Sequence, residues 1–184
     1  MAGLLFCAAH LSAEPVTVSA QEVAVEDADT LSVVVDGEAV RLQLSGIDAP
    51  EDVQNPKLQR DLERTGMPAD QLLALGVAAS EGARSLLPQF APFLVRYDPE
   101  ARDRYGRVPG DLIDREGRRF SLRLVEEGLA RPLPVDGGAE AADFAAAAAA
   151  ARAAGRGLWG SHPEAFAAWA GVGVRPGQGR GPRE

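Results

Sequence analysis

The sequence predicts an α+β domain, mainly β: a five-stranded barrel closed on itself, with about three helices. Three observations carry this. Short runs rich in β-branched and apolar residues recur between turn signals in the first half of the chain. Two of them are joined by Asp36-Gly37, a dipeptide suited to a two-residue hairpin turn. One amphipathic helical pattern interrupts the strands, and the other helices follow them. Closing such a small sheet hides its edges.

Taken in order, residues 16–25 alternate in character and read as a first strand. The hairpin follows, with strands at 31–35 and 40–47. Residues 52–70 turn polar, with Pro56, Gly66 and Pro68 as breakers, and read as a long loop with a short helical turn around 58–62. Asp70 is placed to cap a helix over 71–87, where Leu72, Leu75, Ala79, Ala83 and Leu86 share one face. Strands follow at 93–97 and 105–113. Then come a short helix at 121–127 closed by Gly128 and an alanine-rich helix at 139–154 closed by Gly155. Trp159 should tuck against the body. A last helix spans about 163–170 before a Gly/Pro/Arg tail, which reads as disordered. Five strands in this order suggest an OB-type barrel.

With 184 residues the chain suits one domain with terminal extensions. It divides into a candidate signal segment at 1–20, the barrel domain at 16–160, and a short helix with tail at 161–184. The apolar run near the N-terminus, followed by small residues, favours a periplasmic or secreted protein. Cys7, the only cysteine, lies inside that segment. No stretch is long enough to span a membrane, and a monomer is expected. The formal charge is −8, and Lys57 is the only lysine. A polyanionic substrate must therefore be attracted by a local arginine group or a bound cation, not by the bulk field. His10 and His162 lie far apart in sequence and support no histidine-based scheme.

The hairpin carries acidic residues at both ends, Asp27 and Asp29 before it, Asp48 and Glu51 after it. Antiparallel pairing brings Asp29 and Asp48 together. Two carboxylates that meet without a cation repel, and a hard divalent ion such as calcium is the natural remedy. Each aspartate alone is also an ordinary turn residue. A second cluster, Asp103-Arg104-Tyr105-Gly106-Arg107, offers guanidinium forks for phosphate oxygens, with Gly106 allowing close backbone approach. Together the two clusters contain a carboxylate to activate water and arginines to hold transition-state charge.

In these residues the chain resembles the staphylococcal (thermo)nuclease family. The resemblance runs from Asp27-Ala28-Asp29-Thr30 through Gly46-Ile47-Asp48-Ala49-Pro50-Glu51 and Asp103-Arg104-Tyr105-Gly106-Arg107. It continues through Leu124-Val125 and Gly128-Leu129-Ala130 to Ala154-Gly155-Arg156-Gly157-Leu158-Trp159. It implies an OB-fold, calcium-dependent nuclease that cuts DNA and/or RNA, with single strands favoured. By the same resemblance, Asp29, Asp48 and the Ala49 carbonyl would hold Ca2+. Glu51 would act as general base, Arg107 would contact the scissile phosphate, and Arg104 and Tyr105 would contact substrate.

Three departures from the family pattern stand out. The first catalytic arginine falls at Gln43; either it is lost, or Leu44-Ser45 is a two-residue insertion, such as a bulge, and Arg41 takes the role. The wording Val40-Arg41-Leu42 favours Arg41. Ala28 replaces a glycine, which predicts a strained or reshaped turn. Residues 131–135 lack the tyrosines of the nucleotide pocket. Lys57, Arg60 and Arg64, in the long loop beside the site, are candidates for substrate contacts, with solvated helix-face charges the favoured reading. The rival reading is a weakened or inactive module of the same fold that binds nucleic acid or a protein partner, and a calcium-stabilised barrel without substrate is a third.

Overall fold

The structure is a computed structural model, and it describes residues 16–18, 22–134 and 138–172. The apolar run of the candidate signal and the tail from residue 173 lie outside the described residues. A six-stranded sheet is ordered β1-β6-β7-β4-β3-β2, and β5 pairs with β8 in a small second sheet. The strands are β1 (Val16–Val18), β2 (Val23–Val25), β3 (Thr30–Val35), β4 (Glu38–Leu44), β5 (Ile47–Asp48), β6 (Phe93–Tyr97), β7 (Val108–Ile113) and β8 (Arg131–Pro132).

The single first strand expected at 16–25 is instead two strands that lie at opposite edges of the sheet. Six flat strands would hold those edges ~24 Å apart, whereas the short segment joining β1 to β2 reaches at most ~17 Å. The sheet must therefore curl, and the fold is the mixed α+β barrel expected. Asp36 (φ 52°) and Gly37 (φ 83°) turn β3 into β4 as the dipeptide predicts. The β3–β4 ladder runs without interruption from Val35↔Glu38 to Thr30↔Gln43, so no bulge lies within it. Gly46 (φ 80°) then reverses the chain into β5.

Helices exceed the expected three. They are α1 (Pro56–Thr65), α2 (Ala69–Leu86), α3 (Phe120–Glu126), α4 (Ala139–Ala153), α5 (Leu158–Ser161) and α6 (Pro163–Ala170). The chief correction is α1, which fills most of the expected loop. Asn55 caps it, its side-chain oxygen accepting from the Lys57 and Leu58 amides at 2.9 Å, and Pro56 occupies the first turn. Asn-Pro reads as a breaker in sequence, yet proline is favoured where an amide would be unpaired anyway. Asp70 lies inside the first turn of α2 and caps nothing.

The core runs from Leu31, Val33 and Leu42 of the sheet to Leu72, Leu75 and Ala79 of α2, Phe120 and Leu124 of α3, and Phe166 and Trp169 of α6. Trp159 packs edge-on against Phe166, ring centroids 4.7 Å apart, as expected of it. Gly76 lets α2 approach the segment after β5 closely. A Cβ there would stand 2.1 Å from the Glu51 carbonyl oxygen.

Candidate active site

Strand pairing assembles the site. The register Thr30↔Gln43 sets Asp29 beside the end of β4, where its carbonyl accepts from the Leu44 amide at 2.8 Å and from Gln43 Nε2 at 3.1 Å. Parallel pairing of Leu42 with Val108 brings the residue before each, Arg41 of β4 and Arg107 at the entrance to β7, into neighbouring positions. In the small sheet Asp48 faces Arg131. A cleft of about 310 Å³ results, lined by Arg41, Glu51, Lys57, Arg60, Tyr105 and Arg107 among others.

Four of the expected residues, Arg41, Glu51, Tyr105 and Arg107, therefore share one cleft, with Asp29, Asp48 and Ala49 buried beside it. Arg104 is not among the lining residues; its guanidinium lies over the Tyr105 ring, 4.8 Å from the centroid. Arg107 is held ready by Asp103, whose carboxylate accepts from its Nε at 2.9 Å and its amide at 2.9 Å. Arg107 Nη1 also donates to Thr30 Oγ1 at 3.3 Å. Arg41 donates from Nε to both Glu26 oxygens at 2.9 Å and from Nη1 to the Tyr105 carbonyl at 3.2 Å. Gln43 turns to the backbone of Asp29 and is not among the cleft residues. Ala28 is fully buried, and Asp36 alone among the described non-glycine residues has positive φ, so the expected strain at Ala28 does not arise.

The residues that sequence reasoning missed are Asn55, Glu26 and Arg131, and it misread Lys57. The Lys57 ammonium is no solvated helix-face charge. Its Nζ lies 2.9 Å from Asp48 Oδ1, 2.8 Å from Glu51 Oε1 and 2.6 Å from the Ala49 carbonyl oxygen. The other Asp48 oxygen accepts from Arg131 Nε and Nη2 at 2.9 and 2.7 Å. Asp29 Oδ2 accepts from the Ala49 amide at 2.8 Å, and its Oδ1 from the Thr30 hydroxyl at 3.2 Å. Asn55 Nδ2 donates to Glu51.

The charges act on one another. Burial alone would lower the Lys57 pKa, but Asp48, Asp29 and Glu51 together raise it above the usual lysine value, so the group stays an ammonium. Burial first, then the charges of Asp29 and Glu51, push the Asp27 carboxyl up to about 7. The Asp29 carboxylate accepts from the Ala49 amide, next in the chain to Asp48, so the acids expected for calcium lie close together. As folded, however, the donor set does not fit a divalent ion, because Lys57 lies among its oxygens. Among the described residues no group of three or more His, Cys, Asp or Glu side chains is arranged to hold a metal.

The family profile described as staphylococcal nuclease homologue matches residues 41–161. The chain belongs to that family. This nuclease homologue is 31% identical over 139 residues to Endonuclease YhcR of Bacillus subtilis (strain 168), covering 68% of the chain but 11% of that protein. It is 32% identical over 165 residues to the succinoglycan biosynthesis protein ExoI of Rhizobium meliloti (strain 1021), covering 89% of the chain and 75% of that protein. The matched region begins at Arg41, and all the cleft arginines and Glu51 fall within it.

Proposed function

We propose that this chain is a phosphodiesterase that hydrolyses DNA and/or RNA, with single strands preferred. The observation that carries the reading is the shared cleft, in which Arg41 of β4 and Arg107, just before the adjacent β7, stand with Glu51. Guanidinium forks hold two phosphate oxygens at once and take up the charge that grows on them. Glu51 accepts a proton from water, whose oxygen forms the new P–O bond. The P–O bond to the leaving group breaks, and the leaving oxygen takes a proton from solvent. Tyr105, 47% exposed at the cleft edge, offers a face for a base or sugar. A narrow cleft admits a splayed strand more easily than a duplex.

Calcium, which the family resemblance implies, would reach Asp48, the Ala49 carbonyl and Glu51 only by displacing Lys57. The endonuclease name of the Bacillus relative supports the reaction class. The apolar N-terminal run supports export to the periplasm or medium, and a monomer suffices for the cleft, since one chain supplies all its residues.

The test is cleavage of a quenched single-stranded DNA by wild type, Glu51→Gln and Arg107→Ala, with calcium and with chelator. The wild type should cleave, and Arg107→Ala should lose ~10²–10³-fold. A folded wild type that cleaves under neither condition overturns the enzyme reading. Oligonucleotide binding would then support the binding-module alternative.

A further inference from the structure

We propose that the Lys57 ammonium is the built-in cation of this site, holding the place among the Asp48, Ala49 and Glu51 oxygens that a divalent ion would otherwise take. The inference rests on the same acidic site as the nuclease reading and assigns its charge balance.

Three oxygens from three residues converge on one Nζ at 2.6–2.9 Å. An ammonium has three N–H donors on one compact centre, so it can meet three acceptors that converge on a point, whereas a guanidinium spreads its donors over a planar fork. Lysine is used once in this chain, against 19 Lys and Arg residues in total, and it is used here. The helix dipole gives no reason for it. Lys57 is in the first turn of α1, where a cation opposes the dipole and no acidic residue shares the turn; Asp61, one turn further on, stands 3.9 Å from Nζ, farther than the three converging oxygens. The remaining oxygens of the set are engaged too, Asp48 Oδ2 by Arg131 and the Asp29 carboxylate by the Ala49 amide and the Thr30 hydroxyl. Two protein cations, Lys57 and Arg131, thus pair directly with Asp48 and Glu51, and Lys57 more distantly with Asp61.

The chemical consequence is specific. An ammonium can donate to a phosphate oxygen, but it does not acidify a bound water as a metal does. Proton removal then falls to the Glu51 carboxylate. Hydrolysis should not depend on added metal.

The experiment is thermal unfolding of the full chain in chelator and through a calcium titration, for wild type and Lys57→Met, with the cleavage assay in parallel. The wild-type Tm should not move with calcium. Lys57→Met, which leaves the carboxylates uncompensated, should melt lower in chelator and recover several degrees as calcium fills the space. Wild-type cleavage should survive chelator, and the variant's should come to require calcium. A rise in wild-type Tm with calcium equal to the variant's overturns the assignment. If Lys57→Met does not fold, lysine-labelled wild type still decides, because a single lysine gives a single side-chain resonance. That resonance should stay fixed on adding calcium, and its displacement overturns the assignment. An unchanged wild-type Tm without cleavage would sink the nuclease reading alone; calcium-stabilised, calcium-requiring wild type would sink the lysine assignment alone.

Discussion

Arg131 and Asp48 face each other across the β5–β8 pair, and two guanidinium nitrogens, Nε and Nη2, close on the same carboxylate oxygen. The pairing register thus delivers a counter-ion directly to one of the three buried acids at the site. Asp48 is only 8% exposed, so its loss of a partner is costly. Arg131→Ala should destabilise the fold by about 3 kcal/mol, the lower end for breaking a buried pair. Urea unfolding measures this, and a loss under about 0.5 kcal/mol would place the pair with weak surface bridges.

Arg41 and Gln43 share the outward side of β4 but do different things. Arg41 reaches the cleft, while Gln43 Nε2 holds the Asp29 carbonyl. Arg41→Ala should therefore cut kcat/KM by ~10²-fold with little change in Tm. Gln43→Ala should do the reverse, costing about 1 kcal/mol of stability and little rate. The opposite pattern would give the catalytic position to Gln43.

Gly76 is where α2 touches the backbone of Glu51. Gly76→Ala would force its Cβ to within 2.1 Å of the Glu51 carbonyl oxygen, so the segment must shift. The expected cost is about 1–3 kcal/mol, with activity falling further than stability because the proposed general base moves. A crystal structure of the variant with Glu51 undisplaced would refute this.

Asp103 links acid stability to the arginine loop. Burial, the largest single effect, raises its pKa, but the amides of Arg107 and Tyr105 and the Arg107 guanidinium together outweigh it, and the folded value lies below the ordinary 3.8. A depressed carboxylate contributes stability that is full above the unfolded value and is lost as pH falls through the folded one. Asp103→Asn should flatten the stability–pH curve below about pH 4 and, by freeing Arg107, slow cleavage at neutral pH. Parallel curves for variant and wild type would show that Asp103 titrates alike in both states.

Much of the barrel was legible because its signals are local. Asp36-Gly37 can make one kind of turn, and the alternation in 31–35 has one buried side. The acidic pair was legible as a charge problem, since any hairpin joining Asp29 to Asp48 must solve it. The solution was not legible. It depends on α1, whose start at Asn55-Pro56 looks like a loop, and on the reach of a side chain from that helix to the end of the hairpin. Nothing in the spacing of Lys57 from Asp48 reports that distance; the one available hint was that lysine occurs once. Arg131 was missed for a related reason, because two-residue strands such as β5 and β8 carry no periodicity to read.

The indole of Trp169 lies beneath both protein cations, with Lys57 Nζ 5.9 Å and Arg131 Cζ 4.9 Å from its ring, and it donates Nε1–H to Asp61 at 2.9 Å. It is fully buried, although it lies beyond residue 161, where the family match stops. The surface beneath the two cations is thus supplied by α6, the last helix among the described residues. A protease that clipped the chain between α5 and α6 would leave every expected catalytic residue in place, yet remove the surface on which their counter-ions rest.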